Sequence, residues 1–124
     1  IQITTLENKN LKLIPSLIKI DVEGYEKKVL IGAKNILKNP NLNALLIEIS
    51  THCERYGESI EGIYNYILGF GFKPYTYNPI NRELNILDLK NQFSDNFIFI
   101  KNKEDAQLRL KSGEKIIFDK NYFL

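Results

Sequence analysis

The chain has 124 residues, 44% of them hydrophobic, and 17 basic against 15 acidic side chains give a net charge of +2. That is enough for one domain with a real core, and the charge is too balanced and too scattered for a nucleic-acid or acidic-membrane partner. One cysteine, Cys53, excludes an intrachain disulfide and fits a reducing, cytoplasmic setting.

No apolar run is long enough to span a bilayer, and the first residues do not read as a signal peptide. The chain begins Ile1-Gln2-Ile3-Thr4 and contains no methionine. The expectation is therefore a piece of a longer protein, with part of any site lying elsewhere.

Taken in order, residues 1–6 alternate loosely, as a short strand or its tail, and Pro15-Ser16 breaks the chain. Residues 17–22 read as a strand that is nearly continuously apolar, as a strand covered on both faces would be. It ends abruptly in Asp21, Glu23 and Gly24. From Gly24 the period turns helical, with Val29, Leu30, Ala33, Ile36 and Leu37 on one face. Asn39-Pro40-Asn41 stops the helix. Residues 44–49 form a second apolar strand. A strand, a helix and a strand make a βαβ unit with parallel strands and a right-handed crossover.

Residues 51–58 read as a polar loop. Ile60, Ile63, Tyr64, Ile67 and Leu68 mark a second amphipathic helix, closed at Gly69-Phe70-Gly71 with a glycine available for a left-handed cap. Residues 72–77 and 84–87 flank the turn Asn78-Pro79-Ile80-Asn81, and Phe97-Ile98-Phe99-Ile100 is the last strand. Residues 102–124 read as a charged tail ending in an aromatic cluster.

Strands that end at a common rim of an α/β sheet place their C-terminal residues where ligands bind. If the two apolar strands are neighbours about 4.8 Å apart, Asp21 and Glu48 share that rim. Two carboxylates about 5 Å apart repel by roughly 3 kcal/mol at an effective dielectric near 20. A metal, a cationic cofactor or a lysine such as Lys19 would compensate. A purely structural reading also stands: Glu23 favours a helix N-terminus, and Glu48 accepts from backbone amides. His52, in the loop after the second strand, is either a general base or an ordinary exposed histidine. His52, Cys53 and Glu54 lack the number and spacing of zinc ligands. No nucleophile elbow is present. Gly69-Phe70-Gly71 ends a helix instead of opening one, so it is no phosphate loop. Phe70, Phe72, Tyr75 and Tyr77 read as core and sheet cover.

The run Leu17-Ile18-Lys19-Ile20-Asp21-Val22-Glu23-Gly24-Tyr25-Glu26, followed by Val29-Leu30-Ile31-Gly32-Ala33, closely resembles the motif of FkbM-type methyltransferases. Leu45-Leu46-Ile47-Glu48-Ile49 is similar to that family's next strand, Leu68-Gly69-Phe70-Gly71-Phe72 to its segment after the following helix, and Asn96-Phe97-Ile98-Phe99-Ile100 to its last strand. Thr5-Leu6-Glu7 resembles a threonine-leucine-aspartate with Glu7 in place of the aspartate. The resemblance covers about residues 4–101.

The resemblance implies the C-terminal half of a class I, Rossmann-like methyltransferase sheet, with parallel strands, an antiparallel last strand and helices on both faces. Residues 1–101 would be a partial FkbM-like domain and 102–124 a tail. It implies S-adenosylmethionine as cofactor and O-methylation of a small-molecule hydroxyl, on a sugar or secondary metabolite. The cofactor's glycine-rich turn and ribose-binding acid would lie upstream, leaving the isolated piece inactive. Asp21 and Val22 would lie against the cofactor. Asp21, Glu23, His52 and Glu48 are the catalytic candidates, no residue is assigned to a metal, and a divalent ion enters solely as a conceivable aid to the acceptor. An exposed sheet edge would favour self-association. The competing expectation is a non-catalytic α/β binding or structural domain. A phospho-receiver-like domain is disfavoured because Lys73-Pro74 opens an aromatic strand and no acidic pair accompanies a first strand.

Overall fold

Residues 17–20 and 44–48 offer the backbone almost no side-chain partners, so their amides pair with each other. β1 (Leu17–Ile20) and β2 (Ala44–Glu48) run parallel, with Leu17 beside Ala44 and Ile20 beside Ile47. The computed structural model describes residues 4–6, 12–87 and 95–113. In it these two strands form one side of a five-stranded sheet of order β1-β2-β5-β3-β4. β3 (Lys73–Asn78) and β4 (Glu83–Ile86) are an antiparallel hairpin. β5 (Asn96–Ile100) inserts between β2 and β3, antiparallel to both. β3 therefore points the same way as β2. The α/β class and the antiparallel last strand match the sequence reading. The hairpin strand β4 adds a second antiparallel element at the far edge.

Between β1 and β2 the sequence predicts one helix, but the chain forms two. α1 (Glu26–Ile31) and α2 (Lys34–Lys38) break at Gly32-Ala33. Glycine is a weak helix former, and a Cβ at Gly32 would lie 3.3 Å from the Thr5 methyl. The bare backbone there lets the segment containing Thr5 approach. Both helices still bury one stripe, with Leu30, Ala33, Ile36 and Leu37 in the core. Residues 51–56, read as a loop, form a 3₁₀ segment (Thr51–Tyr56), with the Ser50 hydroxyl accepting from the His52 amide at 3.3 Å. α3 (Ile60–Leu68) is capped by Ser59. The left-handed glycine after it is Gly71, with φ +85°.

Alternation sends successive residues of each strand to opposite faces. Ile20, Leu45, Ile47 and Phe99 meet Leu30, Leu37 and Ile63 from α1, α2 and α3 in the main core. On the other face Tyr75, Leu84 and Ile100 pack against Ala106 and Leu110. Those last two belong to α4 (Lys103–Ser112), whose cap Asn102 accepts from the Asp105 amide. The sequence reading missed this helix and called the whole stretch a tail. Half of its residues are charged and its apolar positions form no continuous stripe, so periodicity carried no signal. The terminal aromatic cluster at 116–124 and Glu7 lie outside the described residues. Of the aromatic set, Phe72 and Tyr75 are buried and Phe70 is partly so, as expected, while Tyr77 stays exposed.

Two consequences position the site. The parallel pairing brings the C-terminal ends of β1 and β2 to one rim. The second face keeps an apolar groove of about 330 Å³ between α4 and β1–β2, lined by Leu17, Leu46, Ile98 and Leu110. That groove lies away from the strand-end carboxylates and holds little polar surface, so the chemistry belongs to the rim.

Candidate functional site

After Ile20 the strand stops and the backbone folds back over five residues to start α1 at Glu26. Glu23 turns left-handed at φ +53° and Gly24 at φ +102°. A Cβ on Gly24 would stand 2.6 Å from the His52 carbonyl oxygen, nearer than real Cβ atoms come. Glycine is thus required twice over, by its dihedral and by the close approach of two backbones. That approach brings the residues after β1 against the 3₁₀ segment after β2.

The side chains follow. Glu23 and His52 meet with Oε2 and Nδ1 3.0 Å apart. Both are accessible, Glu23 at 72% and His52 at 43% of side-chain exposure. An ionised carboxylate can only accept, so the ring donates from Nδ1–H and a neutral imidazole keeps its lone pair on Nε2. A carboxylate that fixes the tautomer in this way prepares the other nitrogen to take a proton.

Asp21 lies on the same loop, with its Oδ2 2.9 Å from the Lys19 ammonium. The hydrogen bond to Asp21 and then its charge push Lys19 above the ordinary lysine range, and Glu48 adds a smaller pull in the same direction. Lys19 is therefore the cation that balances Asp21 directly. The pair is exposed, so its contribution to stability is small. Val22 is exposed, and its amide donates to the Glu26 carboxylate at 3.2 Å.

Sequence reasoning named Asp21, Val22, Glu23, Glu48 and His52, and all lie at or beside this rim. It did not foresee the Glu23–His52 contact, because the left-handed turn that creates it is invisible to periodicity. Glu26 opens α1, where an acid suits the helix dipole. It is also the one buried charged side chain among the described residues, 1% exposed. The available signal was an acid just past a strand-end glycine, placed to reach back to unpaired amides as in a capping box. Two further neighbours were missed. Tyr25 and Tyr56 stack edge to face with centroids 5.0 Å apart, both half exposed, on the two segments that carry Glu23 and His52.

Cys53 beside His52 is fully buried, and burial first, then the charge of Glu54, pushes its thiol up. It is core and no nucleophile. Among the described residues no three histidine, cysteine, aspartate or glutamate side chains converge as a metal would need, and no helix is long and apolar enough to cross a membrane.

A family model described as the methyltransferase FkbM domain matches residues 1–74. This span contains β1, α1, α2, β2, the 3₁₀ segment and α3, and so every residue of the rim. No curated protein and no solved structure matches the chain.

Proposed function

Since this chain belongs to the methyltransferase FkbM domain family, we propose that its rim is one wall of a site for methyl transfer from S-adenosylmethionine to a hydroxyl of a sugar or secondary metabolite. The carrying observation is that the family-matched segment brings Asp21 and the Glu23–His52 pair to one strand-end rim. The donor chemistry fits the cofactor. Its sulfonium is a cation, and the rim offers Asp21, Glu23 and Glu48 against the single ammonium of Lys19. When bound, S-adenosylmethionine supplies the electrophilic methyl group.

The chain's own residues do the rest. Asp21 and the Val22 backbone lie on the cofactor side, Asp21 as the charge that faces the cation. His52 takes the hydroxyl proton at Nε2, and Glu23 holds the ring and stabilises the imidazolium that results. Glu48 acts through Lys19, sharing its charge. Methyl transfer is an in-line displacement, so holding the acceptor oxygen opposite the leaving sulfur carries much of the rate. We place the cofactor's glycine turn on the part of a seven-stranded sheet that would continue beyond β1, the edge strand among the described residues, with β1 and β2 as its fourth and fifth strands. That edge is also where a second strand, or a second copy, would add.

The test is a titration of ¹⁵N-labelled chain with S-adenosylmethionine. With one wall alone, weak binding is expected, with amide shifts concentrated at residues 21–25 and 50–52. Shifts clustered in the groove beside α4, or none at millimolar cofactor, would contradict the reading and favour a non-catalytic binding domain.

A further inference from the structure

We infer that Glu26 is the positioning residue of this rim, a buried acceptor that holds the left-handed turn and through it keeps Glu23 on His52. The inference rests on the rim assigned above but is tested without any reaction. The turn leaves two amides, those of Val22 and Gly24, facing inward with no strand partner. One carboxylate oxygen of Glu26, Oε1, accepts both, at 3.2 and 3.1 Å. Its other oxygen, Oε2, is buried with no hydrogen-bond partner among the described residues.

Burying a carboxylate is costly unless its bonds are strong. A residue kept simply to fill this space would be apolar. What the carboxylate provides is a single acceptor that bridges the residue before Glu23 and the residue after it. Glu23 is thereby fixed between two anchored amides at φ +53°, a conformation an L-residue holds only where its surroundings enforce it. Gly24 lies against the His52 carbonyl, so the same two bonds set the distance between the Glu23 and His52 segments. Glu26 touches neither Glu23 nor His52 by a hydrogen bond; it acts on the pair through the backbone.

The experiment compares Glu26→Gln, Glu26→Asp and Glu26→Leu by NMR. It reads amide shifts and hydrogen exchange at Val22 and Gly24, and the His52 ring ¹⁵N shifts that report the Nδ1–H contact. Glutamine keeps an acceptor at the same reach, so Glu26→Gln retains all three signatures. Aspartate withdraws the acceptor by one methylene and leucine removes it. Both lose the downfield amide shifts and the His52 signature, and exchange at Val22 and Gly24 rises about tenfold, the size of one lost hydrogen bond. The amides of Leu45 and Ile47 in β2 stay protected. If Glu26→Leu does not fold, Glu26→Asp carries the same expectation. The inference is overturned if Glu26→Asp or Glu26→Leu keeps the His52 signature. It is equally overturned if Glu26→Gln loses it, or if β2 protection falls in step with the turn, since Glu26 would then be a general core residue. A failed cofactor titration with these outcomes intact would sink the methyltransferase reading and leave the role of Glu26 standing.

Discussion

Two described residues that are not glycine adopt a left-handed backbone, Glu23 at φ +53° and Arg82 at φ +54°. The same strain serves different ends. Arg82 closes the β3–β4 hairpin, where the Asn78 side chain accepts from the Ile80 and Asn81 amides. Its guanidinium donates to the Leu110 and Gly113 carbonyls at the end of α4, so the strained residue ties two elements of the fold together. Glu23 ties down nothing in the core. Its turn is held from below by Glu26, and its own carboxylate stands in solvent beside His52. Strain that the contacts of the strained residue itself repay is architecture. Strain held by a neighbour, so that a polar group stays exposed, points to a site.

The comparison breaks most visibly at the glycines. Gly24→Ala has both a forbidden φ and a Cβ at 2.6 Å from a carbonyl oxygen. It is expected to cost roughly 3 kcal/mol or more and to separate Glu23 from His52. Gly57→Ala has φ +76° but nothing within 4 Å of the new Cβ, so the backbone penalty stands alone at about 1 kcal/mol. Chemical denaturation of both variants measures the gap; equal losses would mean the close approach to His52 is not real.

Next come the strained residues themselves. Glu23→Gly relieves the turn and is expected to raise stability by up to about 1 kcal/mol while removing the carboxylate that meets His52. Arg82→Gly relieves a similar strain but loses the bonds to α4, and is expected to lower stability by about 1 kcal/mol. Thermal unfolding of the pair gives opposite signs if the two turns differ as described. The smallest effect concerns Cys53, one residue from His52. Burial raises its thiol above the ordinary value, so less thiolate forms at neutral pH and access is blocked. Iodoacetamide should label it many times more slowly in the native protein than in denaturant at the same pH. Rapid native labelling would show the 3₁₀ segment opening freely.

Much of the fold was legible because apolar runs and turns follow short-range rules. Leu17–Ile20, Ala44–Glu48 and Asn96–Ile100 announce strands, and Ile60–Leu68 announces a helix. The break at Gly32 was not legible, since it depends on Thr5 packing from 27 residues away. α4 was not legible because its helix is set by the Asn102 cap and by one apolar edge against β3–β5. For the candidate site, placement at the strand ends was readable and side-chain geometry was not. Asp21, Glu23, Glu48 and His52 stand where strand-end logic puts them, and Lys19 pairs with Asp21. The Glu23–His52 contact needs a backbone dihedral and a backbone-to-backbone approach, neither of which residue types encode alone. The burial of Glu26 was not legible, because nothing local distinguishes a helix-start carboxylate that faces water from one that turns inward to bridge two amides.

The central claim is that Glu23 and His52 work as one proton-accepting unit. A double-mutant cycle in the rate of methyl transfer from S-adenosylmethionine, measured with the other wall of the site supplied and with Glu23→Gln, His52→Gln and both together, tests it most directly. The account predicts a loss in kcat on the order of 10²–10⁴-fold for His52→Gln, a smaller loss for Glu23→Gln, and a double variant no slower than His52→Gln alone, because the two residues act as a unit. Losses that multiply, or a His52→Gln enzyme that turns over at the unaltered rate, would contradict it.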